Sequence, residues 1–303
     1  MAYRISPKKK IGREMRRVLL EQNDKALVLL RDWQAAPADR VHRARQAFKR
    51  LRAALRLLRR REPYVFEVEN RFYRDQARRL SYVRDVAAMV EVVDTLAEGV
   101  WESLPRQSLL LLRQSLERRA EQEATDGLSG ITVRVTEVCE GLEHSQQRLS
   151  GLPLKNLRAR HLRKGGQRTL RLGRAGFERA CRQSSDEALH EWRKAVKYAF
   201  YQSALLRDLE PEWARAQRPA LSTLAEVLGH AQDLAVLDDL LRAQPDTLGI
   251  DLHLQRLRWI VRKARRETRD RALGIGVQVF GRPDSQSAAV LPFPARAARR
   301  RMR

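Results

Sequence analysis

Leucine, alanine and valine recur at three- and four-residue spacings along most of the chain, with arginine, glutamate and glutamine between them. That is the period of an amphipathic helix. The residues that dominate these stretches, Arg, Leu, Ala, Glu and Gln, are also good helix formers. Breaks fall at Pro37 with Asp39, Pro63, Pro105, Pro153, Pro211 and Pro245. Proline suits the first turn of a helix but not its interior. The pattern predicts helices near 6–34, 38–61, 64–99 and 105–147, then near 154–182, 185–209, 212–243 and 248–273. Gly127 and Gly130 are expected to divide the fourth.

An internal repeat underlies this order. A shift of 148 residues places His42, Arg45, Ala47 and Lys49 on His190, Arg193, Ala195 and Lys197. Without a gap, Leu57-Leu58-Arg59 then meets Leu205-Leu206-Arg207, and Glu62-Pro63 meets Glu210-Pro211. Leu80, Asp85 and Ala87 fall on Leu228, Asp233 and Ala235. The period is far longer than a solenoid unit. Short links between long helices favour antiparallel neighbours, so an all-α fold of two up-and-down four-helix bundles is expected. The expected units are 1–150 and 151–280. Residues 281–303 carry prolines and end in a basic run, which predicts a partly disordered extension.

Charge changes the picture more than length does. The 303 residues carry 61 Lys and Arg against 37 Asp and Glu, a net charge of +24. Such an excess repels itself and calls for an anionic partner. Arginine supplies most of it, and its planar fork matches phosphate oxygens. The apolar content of 43% still suffices for a core. Two cysteines, Cys139 and Cys181, sit singly in helical patterns and read as structural thiols. No stretch approaches a membrane span, and no apolar run follows the basic start, so a cytoplasmic setting is expected.

The cations are not scattered. From His42 onward, His42, Arg45, Lys49, Arg52 and Arg56 fall within an arc of about 80° on a helix. Ala44, Ala47, Phe48, Leu51, Leu55 and Leu58 occupy the opposite side. No acid lies between Asp39 and Glu62, whereas a solvated face would intersperse both signs. The second copy keeps His190, Arg193 and Lys197, but Phe200 and Ala204 replace the last two arginines. Further candidate phosphate ligands are Lys9, Arg13, Arg16 and Arg17 near the start, His161, Lys164 and Arg168 in the middle, and Arg262 and Arg266 near the end.

His42 and His190 each open a cationic stripe. Neighbouring cations disfavour the imidazolium, and a bound phosphate chain restores it. No second histidine, and no carboxylate four residues further on, accompanies either, and the neighbouring cations make a poor metal site, so no metal is expected. Asp85 and Asp233, each 43 residues after its histidine, read as structural supports that orient a cation.

Three segments carry a family resemblance. They are Val41-His42-Arg43-Ala44-Arg45 through Arg56, Leu189-His190-Glu191-Trp192-Arg193-Lys194 through Lys197, and Leu228-Gly229-His230-Ala231-Gln232-Asp233. Together they resemble the signature helices of the CHAD family, the conserved histidine α-helical domain. The likeness extends over about residues 5–285 and includes the two-fold repeat. It implies two helical bundles related by a pseudo-twofold axis around a basic channel, binding of inorganic polyphosphate, and association with polyphosphate granules. By position, His42, Arg45, Lys49 and Arg52 carry over, as do His190, Arg193, Lys194 and Lys197. The sequence departs from the family where Ser81-Tyr82 replaces a Leu-Gly turn and where Phe200 stands at a position often basic.

Other function classes fit less well. Nucleic-acid binding would use the charge, but aromatics are only 6%, too few for base-stacking platforms. Gly165-Gly166-Gln167-Arg168 lacks the Gly-Lys-Ser/Thr ending of a phosphate loop, and no acidic cluster faces the stripes. The reading is therefore of a binding protein without catalysis, cofactor or membrane association.

Overall fold

The computed structural model describes residues 3–80, 82–98, 103–243 and 253–281, with side chains throughout except at 82–88, 103–105 and 120–129. Among the described residues the structure is all-helical. The helices are α1 (Ile11–Arg31), α2 (Pro37–Leu58), α3 (Pro63–Arg79), α4 (Tyr82–Glu98), α5 (Ser103–Ser150), α6 (Ala159–Arg182), α7 (Asp186–Leu205), α8 (Pro211–Ala243) and α9 (Leu254–Phe280). A 3-10 turn, Trp33–Ala35, joins α1 to α2.

Local chemistry sets the starts. Pro37 and Pro63 stand in the first turns of α2 and α3, where the missing amide hydrogen is not needed. Ser185 caps α7 by accepting from the Ala188 amide at 3.2 Å, and Asp186 and Glu187 complement the helix dipole. α9 ends at Gly281, which takes φ 80°.

Three departures from the sequence expectation stand out. The helix expected over 64–99 is two, because the chain leaves helical geometry at Leu80 after α3. Gly127 and Gly130 do not divide α5, which runs 48 residues through both. The first helix begins at Ile11 rather than near residue 6. The segment before it is pinned instead: Ile5 is fully buried and its amide donates to the Leu205 carbonyl at 3.0 Å.

The helix stripes explain the packing. α2 buries Val41, Ala44, Phe48, Leu51, Leu55 and Leu58 and packs on α1, α3, α6 and α7. Ala53 and Ala54 let a neighbour approach closely, and Gln202 of α7 donates to the Ala53 carbonyl at 2.9 Å. On α6, a methyl group at Gly165 would lie 2.7 Å from the Leu57 backbone, so only glycine permits this approach of α6 to α2. The main buried cluster draws on α1, α2 and α3 together with α6, α7 and α8, so the two halves share one core. A smaller cluster, including Met89, Leu112, Leu237 and Leu257, is built by α4, α5, α8 and α9.

A buried polar chain locks α1, α3 and α5. The Tyr73 hydroxyl lies 2.8 Å from both Asn23 Oδ1 and Ser145 Oγ, Ser145 donates to Glu69 at 2.9 Å, and Arg148 Nε donates to Glu69 at 2.6 Å. Burial raises the Tyr73 pKa, so the hydroxyl keeps its proton. Each member is satisfied by the next, as buried polar groups require.

Candidate functional site

The stripe on α2 is not a solvated face. Arg45, Lys49, Arg52 and Arg56 are all half-buried between neighbouring helices. Arg45 donates to the Leu80 carbonyl at 3.3 Å, and Arg52 Nε donates to Asn70 Oδ1 at 3.1 Å. The Arg56 guanidinium lies 4.0 Å from the ring centroid of Tyr198 and 5.8 Å from that of Phe66. Its Nε is buried without a hydrogen-bond partner. Burial lowers the Arg52 pKa; Tyr198 opposes this, and Arg56, Arg74 and Arg78 reinforce it. A guanidinium stays charged nonetheless, so these cations are held together against their repulsion.

Two adjoining clefts open at the Arg52 and Arg56 end of this stripe, and Arg45 and Lys49 line neither. One, of about 510 Å³, is lined by Arg52, Arg56, Arg74, Arg78, Arg179 and Lys194, with Asn70 and Tyr198. Its one carboxylate, Glu191, accepts from Lys194. The other, of about 490 Å³, lies between α6 and the end of α2. It is lined by Arg56, Arg59, Arg60, Arg61, His161, Lys164, Arg168 and Arg171, with no carboxylate. Arg56 lines both. The result is a trough of Arg and Lys side chains walled by low-dielectric protein, which focuses positive potential. Its chemistry suits a row of anionic oxygens. His161 belongs to it, and burial, then Arg160, Arg61, Lys164 and Arg158, hold its pKa below the usual value.

The sequence candidates divide. Arg52, Arg56 and Lys194 meet in the first cleft; His161, Lys164 and Arg168 join Arg56 in the second. Arg262 and Arg266 lie elsewhere, in a cleft of about 290 Å³ with Arg242, Arg265 and Arg269. There Arg265 binds Asp186 at 2.6 Å and also the fully buried Asp238. His42 Nε2 lies 2.6 Å from the Gln46 amide nitrogen, and His190 Nδ1 lies 2.6 Å from Gln232 Oε1. Both histidines are half-buried, as are Arg193 and Lys197 on α7, and none of the four lines the trough.

Of the cations at the start of the chain, Arg16 and Arg17 are drawn into contacts within the protein. Arg17 binds Glu14 at 2.9 Å and Glu21 at 2.8 Å, and its pKa is raised chiefly by the bond to Glu14. Arg16 donates to the Leu152 carbonyl at 2.5 Å, Lys9 lies 4.0 Å from Glu14, and Arg13 is exposed. None of these lines the trough. Asp233 is half-buried on α8 near His230, whose pKa burial lowers and Asp233 opposes. The side chain of Asp85, and the tail from 282 on, lie outside the described residues.

Sequence reasoning passed over Arg59, Arg60, Arg61, Arg74, Arg78 and Arg179 as ligands. The run Arg59-Arg60-Arg61 and the i,i+4 pair Arg74 and Arg78 were the available signals. Nothing in the sequence marks Tyr198, because its role depends on where α7 crosses α2.

The sequence model of the CHAD domain matches residues 17–242. No curated protein matches the chain.

Proposed function

This chain belongs to the CHAD domain family, and we propose that it binds inorganic polyphosphate in the trough between α2, α3, α6 and α7 without turning it over. The observation that carries this reading is the trough itself, where clustered Arg and Lys side chains face a single carboxylate that Lys194 already engages. Polyphosphate offers one negative charge per unit and no bases. The trough offers forks for phosphate and no platform for a base: its one aromatic ring, Tyr198, is covered by Arg56. Phosphoryl transfer draws on acidic metal ligands, and the trough walls supply none beyond Glu191.

The same proposal includes the architecture, a pair of related helical bundles with the cationic path where they meet. In its support, α1 and α6 begin 148 residues apart, as do α3 and α8, matching the sequence repeat. It also includes a cytoplasmic location at polyphosphate granules. Among the described residues no helix is long and apolar enough to cross a membrane.

Competition tests the reading. Labelled long-chain polyphosphate is bound at ~0.15 M salt and challenged with phosphate-matched single-stranded DNA and RNA. Retention against both supports the proposal. Displacement at equal phosphate concentration would replace it with general polyanion binding.

A further inference from the structure

The cleft of about 290 Å³ that holds Arg262 and Arg266 shares no lining residue with the trough. It is built mainly by α9, which follows the residues 17–242 that the family model matches. Arg262, Arg265, Arg266 and Arg269 fall within an arc of about 100° on that helix, so they share one face. Arg242 of α8 joins them, and Ser184 and Asp186 at the start of α7 border the cleft.

The five arginines divide into two sets. Arg242 and Arg265 are engaged within the protein. Both donate to Asp238, fully buried on α8, and Arg265 also donates to both Asp186 oxygens at 2.6 Å. Two guanidinium partners keep the buried carboxylate charged, and it fixes their position in return. Among the described residues, no ion pair of the cleft uses Arg262, Arg266 or Arg269. Arg262 and Arg266 are exposed, and Arg269 is half-buried. Three like charges on one helix face repel each other until an anion offsets them.

The lining says what kind of anion fits. It holds no aromatic ring, and its apolar side chains are only Leu189 and Ala231, so recognition rests on the charged end of a ligand. Three forks suit the three terminal oxygens of a phosphoryl group better than the two of a carboxylate. The volume lies at the lower end of small-molecule sites. Asp186, with its side chain 57% exposed, opposes a long polyanion running out of the cleft past α7. We propose that this cleft binds a small phosphomonoester by its terminal phosphoryl group. Arg262, Arg266 and Arg269 meet the phosphoryl oxygens, while Arg242 and Arg265 stay with their carboxylates. This site is separate from the trough and does not depend on what the trough binds.

Calorimetric titration with glycerol 3-phosphate tests the proposal, using the full chain and a trough variant in which Arg56, Arg60, Lys164 and Arg168 become Gln. The trough variant is expected to bind one glycerol 3-phosphate per chain, with the affinity of the native protein. Acetate is expected to bind at least about ten-fold more weakly. Arg262→Gln combined with Arg266→Gln is expected to weaken glycerol 3-phosphate about ten-fold or more, and to change long-chain polyphosphate affinity less than about five-fold. Both side chains are exposed, so the double variant keeps the fold. Absence of saturable binding at millimolar concentration, or binding unchanged in the double variant, would overturn the proposal. So would displacement of glycerol 3-phosphate from the trough variant by long-chain polyphosphate, which would make the cleft another polyphosphate subsite. The trough variant keeps this test apart from the reading of the trough.

Discussion

Arg56 concentrates the residue-scale argument. It lines both clefts, its guanidinium is held against Tyr198, and its buried Nε has no hydrogen-bond partner. Ring contact fixes the fork before any ligand arrives, which lowers the ordering cost of binding. Arg56→Gln is therefore expected to weaken polyphosphate binding about ten-fold or more, and Arg56→Lys to fall between, retaining the charge but losing the planar fork. Fluorescence anisotropy with labelled polyphosphate reads both.

His161 adds a pH dependence. Its pKa in the ligand-free protein lies below the usual value, whereas a bound polyanion stabilises the imidazolium and raises it. Binding thus takes up a proton, and affinity is expected to rise as pH falls from about 7.5 to about 5.5. His161→Gln should flatten that rise. Arg52 and Arg56 were legible from their helical spacing, and Lys194 from the family resemblance. The sequence also holds the signal for the engagement of Arg17, in Glu14 and Glu21 at i−3 and i+4.

At the scale of elements, the trough depends on how closely α6 approaches α2. Gly165 permits that approach, and its missing side chain is what brings Lys164 and Arg168 up to Arg56. Gly165→Ala introduces a methyl group 2.7 Å from the Leu57 backbone and is expected to cost about 1–3 kcal/mol of stability. Denaturant unfolding measures that cost, and polyphosphate affinity should drop with it. The chain of Asn23, Tyr73, Ser145 and Glu69 makes a second element-scale test. Tyr73→Phe strips a fully buried partner from Asn23 and Ser145 and is expected to cost about 1–3 kcal/mol in the same assay.

Helix existence was legible because apolar residues recur at helical spacing over long segments. Element boundaries were less so. The break after Leu80 carries no proline, and the passage of α5 through Gly127 and Gly130 defies their low helix propensity. The pinning of the segment before α1 depends on the buried Ile5, whose partner Leu205 lies far along the chain.

At the scale of the molecule, the net charge of +24 favours association with any polyanion. Repulsion among the trough cations destabilises the ligand-free protein, and a bound polyanion relieves it. The melting temperature is expected to rise with polyphosphate, and the rise to shrink as salt is raised from 0.05 to about 0.3 M. Generic charge would produce part of this effect, so position must be separated from total. The most direct measurement compares polyphosphate affinity in two variants that lose equal charge. In one, Arg56, Arg60, Lys164 and Arg168 become Gln; in the other, the exposed Lys9, Arg13, Arg215 and Arg256 do. The trough account predicts a loss of about 100-fold or more in the first and less than about five-fold in the second. Equal losses in the two would contradict it.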